Sequence, residues 1–304
     1  MAEFKLLTYS IDGKSRAAIL VGDAVVDTAQ ALEGAGLADP GTVLGLLKEW
    51  GRALPALEKA AANVKPGSGR KLAGLRLEAP IQVPGAYFCA AANYYDHFKE
   101  MNPDREFKKE GKECYFFIKT GVHATHGPHD PIRLPSSSKQ IDWEIELGVV
   151  IGKPTRNATL KTAMDAIAGY VICNDLSARD LGRRQDWPQF ASDWFGQKQF
   201  EGSMGLGPWI TPASQVADPY KMTLKLWVNE QLMQNSTASQ LVFNIAEQIE
   251  YLSRRMTLRP GDVIATGTPA GVGRPRGIFL KPGDTVRLEI GGIGTMENKV
   301  VQGE

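Results

Sequence analysis

Cysteine is scarce in this chain. Cys89, Cys114 and Cys173 are three residues in 304, an odd number with no paired spacing, which argues against a disulfide framework and for a reducing compartment. Each reads as a small core residue rather than a nucleophile. Net charge is nearly absent as well. A formal charge of +1 provides no single-sign field that would draw nucleic acid or an anionic membrane. No apolar run reaches the length of a membrane span, and the opening Met-Ala-Glu-Phe-Lys-Leu-Leu-Thr-Tyr-Ser lacks the basic start and apolar stretch of a signal peptide. A cytoplasmic location is therefore expected. The basic run at 65–76 is short, broken by glycine, and reads as a solvated linker.

What is present suffices for a large core: 43% hydrophobic and 23% charged residues over a length that allows one large domain with a small companion. Residues 1–28 alternate apolar and polar around Asp12-Gly13 and Gly22-Asp23, the pattern of a small antiparallel meander. Val43, Leu46, Leu47, Trp50, Leu54 and Leu57 then recur at near-helical spacing. A minor N-terminal domain is expected over 1–77. Over 78–304 the chain turns to many short apolar strands broken by Pro and Gly, which predicts a larger, mostly β domain and an α+β class overall. Leu258-Arg259-Pro260-Gly261-Asp262 and Leu280-Lys281-Pro282-Gly283-Asp284 read as two strand-connecting turns. Helices are predicted near 239–254 and 160–168, the second feeding a strand from Tyr170 that stops at Asn174-Asp175.

The stretch Ile141-Asp142-Trp143-Glu144-Ile145-Glu146-Leu147-Gly148-Val149-Val150 puts three acids at alternate positions ahead of an apolar run. As one strand it stacks Asp142, Glu144 and Glu146 on a single face. Like charges so placed need a cation or several hydrogen bonds to stay ionised; otherwise the stretch is a solvent-facing acidic edge. Asp175 also ends an apolar strand. If the two strands are neighbours, Glu144, Glu146 and Asp175 form an all-carboxylate site suited to Mg²⁺, Mn²⁺ or Ca²⁺ rather than zinc. The bland alternative is an Asp capping a turn and paired with Arg179.

His97 and Glu100, three apart, share a face if their segment is helical. A carboxylate beside an imidazole fixes its tautomer and raises its basicity, as a general base requires, although a lone histidine is more often a surface one. His123, His126 and His129 lie around Gly127 and Pro128 in a loop, with no cysteine at ligand spacing, so no zinc site is expected there. The Gly-rich run 261–273 matches no nucleotide fingerprint, but its backbone N–H groups and the Thr268 hydroxyl are available to an anion.

Taken in order, Asn93-Tyr94 with His97 and Glu100-Met101, Asp142-Trp143-Glu144-Ile145-Glu146-Leu147, Asn174-Asp175-Leu176-Ser177-Ala178-Arg179-Asp180, Gly207-Pro208-Trp209 and Ala265-Thr266-Gly267-Thr268-Pro269 closely resemble the fumarylacetoacetate hydrolase superfamily over roughly residues 80 to 300. The resemblance implies a mixed β-sandwich roll behind a small N-terminal α+β domain, usually homodimeric. It implies a divalent metal, Mg²⁺ or Mn²⁺, on Glu144, Glu146 and Asp175, with Asp142 in support. It makes His97 and Glu100 the water-activating dyad and Lys198 the group that stabilises developing negative charge. Tyr94, Arg179, Asp180 and Thr268 would border the substrate, and 102–112 would be a mobile lid. One departure concerns the distal contacts: many relatives carry Gln where this chain has Gly182, followed by Arg183-Arg184-Gln185-Asp186-Trp187-Pro188.

The expected reaction is metal-dependent hydrolysis of a C–C bond in an acylpyruvate-like 2,4-dioxo acid, in aromatic or related carbon catabolism. It would release pyruvate, or a related 2-oxo acid, and a carboxylic acid. Relatives also decarboxylate oxaloacetate-like acids or isomerise hydroxylated dienedioates, since all share a stabilised enolate. A non-catalytic metal-binding dimer is the alternative from another class.

Overall fold

The computed structural model describes residues 2–65 and 67–303. Two sheets carry the architecture. The larger has twelve strands, and its main path runs Arg70–Lys71, Ala24–Asp27, Lys14–Val21, Lys5–Ile11, Met204–Pro212, Ile167–Asp175, Ile145–Ile151, Val263–Ala265, Tyr87–Ala90, Phe116–Lys119. Neighbours on this path are antiparallel except Val263–Ala265, which lies parallel to Tyr87–Ala90. The second sheet has five strands in the order Gln231–Thr237, Thr223–Val228, Thr285–Ile290, Gly294–Gln302, Ile132–Leu134. This is the mixed-sheet α+β architecture expected from the sequence.

Alternation along the central strand explains the layering. Ile145, Leu147, Val149 and Ile151 point into a core shared with Leu224, Leu226, Val286 and Leu288 of the smaller sheet. The other face buries Val150 with Val171, Leu206 and Ile210 against Leu46, Leu47, Trp50 and Leu57. Those last four come from the helices Val43–Lys48 and Trp50–Ala62, as their spacing predicts. The N-terminal strands continue the large sheet, Leu6 pairing with Ile210. Arg76–Glu78, which crosses the expected boundary at residue 77, pairs with Lys5–Ile11.

Three local expectations change. The acidic stretch is not one strand: Ile141–Asp142 pairs with Ser177–Ala178 and Ile145–Ile151 with Ile167–Asp175, leaving Trp143 and Glu144 between them. Nor is it an edge, because strands flank Ile145–Ile151 on both sides. The helix predicted over 160–168 is only a 3₁₀ turn at Ala163–Ala166, and the strand starts at Ile167. There, sheet pairing on both sides of a β-branched and aromatic run outweighs the helical spacing. The later helix starts at Ile245, where Asn244 and Glu247 form a capping box.

Both Pro-Gly-Asp turns close alike, Asp262 accepting from the Arg259 N–H at 2.7 Å and Asp284 from the Lys281 N–H at 3.0 Å. Each of the three clustered histidines has a hydrogen-bond partner within the fold. His129 Nδ1 accepts from the Leu77 N–H at 3.0 Å, His123 lies 3.0 Å from Glu201, and His126 lies 2.8 Å from the Gly202 carbonyl.

Burial lowers the His126 pKa from its ordinary value to about 4, outweighing the Gly202 hydrogen bond that raises it. The folded value is depressed, so His126 stays neutral while the unfolded chain takes up a proton below about pH 6.5. Stability should therefore fall as pH drops from about 6.5 towards 4. Replacing His126 with Gln should flatten that limb, read as the urea midpoint against pH.

Candidate active site

The antiparallel register Ile145↔Asn174, Glu146↔Cys173 brings the acids that begin one strand beside the acid that ends the next. Glu144, Glu146 and Asp175 each offer an oxygen within 4.8 Å of the others, and all three are buried. Asp142, also buried, lies apart from them and accepts from the Gly273 N–H at 2.7 Å, the Arg274 N–H at 3.1 Å and Arg179 Nε at 2.8 Å. The solvent-facing reading of the acidic stretch is thereby overturned.

Three cations answer these acids. Lys198 Nζ lies 2.8 Å from Glu144 Oε2 and 2.7 Å from Asp175 Oδ2. Arg179 spans Asp142 and Glu144, reaching Glu144 Oε1 at 2.6 Å. Lys119, fully buried, sits 2.6 Å from Asp175 Oδ1 and donates to the carbonyls of Leu176 at 2.9 Å and Ser203 at 2.6 Å. Burial opposes ionisation of Glu144, but Lys198 and Arg179 overcome it and hold that carboxyl well below the usual range. Glu146 goes the other way: burial, then Asp175 and Glu144, push it up, against Lys198 and a 2.8 Å hydrogen bond from the Gly267 N–H. The group held back from ionising is thus the one member of the triad that has no ion pair among the described residues. An all-oxygen set with one under-compensated member is the donor chemistry of a hard divalent cation, so these residues fit Mg²⁺ or Mn²⁺.

The helix Tyr95–Met101 puts His97 and Glu100 on one face, Nδ1 lying 3.3 Å from Glu100 Oε2. Glu100 is fixed in turn by the Gly271 N–H at 3.0 and 3.1 Å. Asp96 accepts from the His97 N–H at 2.7 Å and from Ser236 Oγ at 2.6 Å. Beyond the helix, Phe107 packs edge-on against Phe98 and Lys109 pairs with Glu247 at 2.7 Å, which ties the 102–112 segment to the body.

A cavity of about 440 Å³ is lined by His97, Glu144, Glu146, Arg179, Asp180, Lys198 and Thr268, with Met101, Tyr115, Phe117, Arg183, Trp194, Gln197 and Arg274 among the other lining residues. Asp175 lies behind Lys198, and Glu100 behind His97. Tyr94, expected to border the substrate, is fully buried behind the cavity wall, and its hydroxyl has no hydrogen-bond partner among the described residues. Asp180 and Thr268 reach the cavity with their polar atoms already engaged. Asp180 accepts from Ser138 Oγ at 2.5 Å and the Lys139 N–H at 2.9 Å. Thr268 Oγ1 donates to the Ile145 carbonyl at 2.9 Å and accepts from Gln234 at 2.8 Å. The sequence reading missed Lys119 and Gln197. A lysine closing the apolar run Phe116-Phe117-Ile118 was the available sign of the first.

Lys119→Met should leave Asp175 short of a cation and two buried carbonyls without a donor. The loss should be about 3–5 kcal/mol, the cost of breaking a buried ion pair from one side, measured by urea unfolding of the metal-free protein.

The fumarylacetoacetate (FAA) hydrolase C-terminal family model matches residues 86–301. The mitochondrial oxaloacetate tautomerase fahd2 of Xenopus laevis is 40% identical over 229 residues, 75% of this chain and 69% of that protein. Among solved structures, maleylpyruvate hydrolase from Sphingobium sp. SYK-6, in complex with manganese(II) and pyruvate, has a TM-score of 0.78 at 31% identity and covers 99% of this chain and 100% of its own. The 2-hydroxyhepta-2,4-diene-1,7-dioate isomerase of Mycobacterium marinum has a TM-score of 0.70 at 29% identity over 98% of both chains. With the motif order, the acid triad and the mixed sheets in agreement, this chain belongs to the fumarylacetoacetate hydrolase family of enzymes.

Proposed function

We propose that the site moves a proton at C3 of a 2-oxo acid, interconverting keto and enol forms, with oxaloacetate as the leading substrate. The observation that carries the reading is the shared cavity: an oriented imidazole, two acids of the triad and the triad's lysine all line it. Enolisation needs a base on one side of the substrate and charge stabilisation on the other. The tautomerase named above supports the choice of substrate.

Glu144, Glu146 and Asp175 would hold a divalent ion, which would supply Lewis-acid polarisation of the keto group. His97, its tautomer set by Glu100, takes the C3 proton. The C–H electron pair becomes the C2–C3 double bond, and negative charge develops on the 2-oxo oxygen. Lys198 stabilises that charge: burial lowers its pKa, but Asp175 and Glu144 raise it further, so the ammonium stays protonated. Transfer of that proton from the His97 imidazolium to the oxygen gives the enol and restores the neutral imidazole, and the reverse sequence gives the keto acid. Tyr115, Phe117 and Trp194 form an apolar wall that limits water, Phe117 and Trp194 stacking at 4.9 Å.

Hydrolysis of an acylpyruvate is the second reading, favoured by the same dyad, which would activate water instead of a C–H bond, and by the hydrolase named above.

With Mg²⁺ or Mn²⁺, the protein should accelerate deuterium uptake at C3 of oxaloacetate, followed by NMR, beyond a buffer containing the same metal, and EDTA should abolish the effect. Glu100→Gln should lower kcat about 10²-fold with metal affinity unchanged by calorimetry. No acceleration of exchange, together with cleavage of acylpyruvates, would replace this reading with the second.

A further inference from the structure

Gln197 has no role in the mechanism above, yet its surroundings point to a ligand. It is 7% exposed and sits in the cavity wall next to Lys198. Among the described residues its side-chain amide has no hydrogen-bond partner, while its own backbone N–H is used by Asp193. Its amide opens onto the cavity, so a molecule that enters the site can supply the partner that the protein does not.

The amide lies against position 182. A Cβ built on Gly182 would lie 2.9 Å from Gln197 Oε1, so a side chain there would displace the Gln197 amide from its present place. The Gly182 backbone, at φ −71° and ψ −11°, is open to any residue. The neighbouring Arg183 also lines the cavity and is exposed. Among the described residues no carboxylate lies within 4.0 Å of Arg183, whereas Arg184 is paired with Asp186 and Arg179 is committed to Asp142 and Glu144.

We infer that Gln197 and Arg183 together bind the far carboxylate of a four-carbon 2-oxo diacid, the amide donating one hydrogen bond and the guanidinium a charge-assisted one. The inference rests on the reading of the triad as the 2-oxo acid end of the site. It separates a diacid from the otherwise matching 2-oxobutanoate, in which a methyl group replaces the far carboxylate.

The test is equilibrium binding by calorimetry to the Mg²⁺-loaded protein. Gln197→Met, close in size but without a donor, should weaken oxaloacetate about tenfold and 2-oxobutanoate less than about threefold. Gly182→Gln combined with Gln197→Gly should return the amide from the opposite side and restore oxaloacetate binding to within about threefold of wild type. Arg183→Gln should repeat the selective loss. Equal weakening of both acids by Gln197→Met, or no weakening of either, overturns the assignment. Exchange at C3, measured separately on the wild type, keeps the two readings apart: selective binding without exchange upholds the far-carboxylate contact and refutes enolisation.

Discussion

The meeting of four buried carboxylates with two buried lysines and the part-buried Arg179 is the constraint on which this site depends. Charges taken out of water must be matched by near neighbours or they neutralise themselves. Here the matching is uneven. Glu144 is flanked by Arg179 and Lys198, Asp175 by Lys119 and Lys198, and Asp142 by Arg179 and two backbone N–H groups. Glu146 receives a single backbone N–H. The shortfall therefore falls on one oxygen-bearing group among three, where a cation of two charges would relieve the most repulsion. The partners come from well-separated parts of the chain, so the charge cluster also ties those segments together.

The Gly-rich segment after Val263–Ala265 links this cluster to the base. Its N–H groups do bind anions, as its composition allowed, but the anions belong to the protein. Gly267 donates to Glu146, Ala270 to Asp96, Gly271 to Glu100, and Gly273 and Arg274 to Asp142. One loop thus sets the position of an acid in the triad and of the carboxylate that orients His97. Gly271 carries φ +107°, and a Cβ there would meet the Met233 carbonyl at 2.0 Å, so only glycine lets the chain pass close enough to reach Glu100.

The triad was legible because acids at alternate positions ahead of an apolar run, and an acid ending another, are costly unless something gathers them. The His97 and Glu100 pair was legible from helical spacing. What escaped depends on distance across the fold. Trp143 and Glu144 break the strand because Asp142 is drawn to Arg179 and the loop at 273–274, a pull that no local pattern records. Tyr94 sits one residue from the helix bearing His97 but faces the core. Lys119 reads as an ordinary polar end to an apolar strand until Asp175 is placed beside it. The 160–168 helix failed for the same kind of reason, since both neighbours of the following strand lie far away in sequence.

The cavity divides the problem of activity into two ends. At the floor, the acids, Lys198 and His97 are held by buried ion pairs and backbone donors, a rigid setting suited to stabilising an enolate whichever electrophile follows. At the mouth, 183–190 is exposed and Arg183 is unpaired among the described residues. Enolisation, decarboxylation and C–C hydrolysis all pass through charge on the 2-oxo oxygen, so the floor cannot choose among them. Choice requires groups that differ in what they offer the rest of the substrate, and away from the floor the cavity offers the Gln197 amide and the Arg183 guanidinium. The polar mouth, more than the acid triad, is therefore where substrates that share a 2-oxo acid end would be told apart.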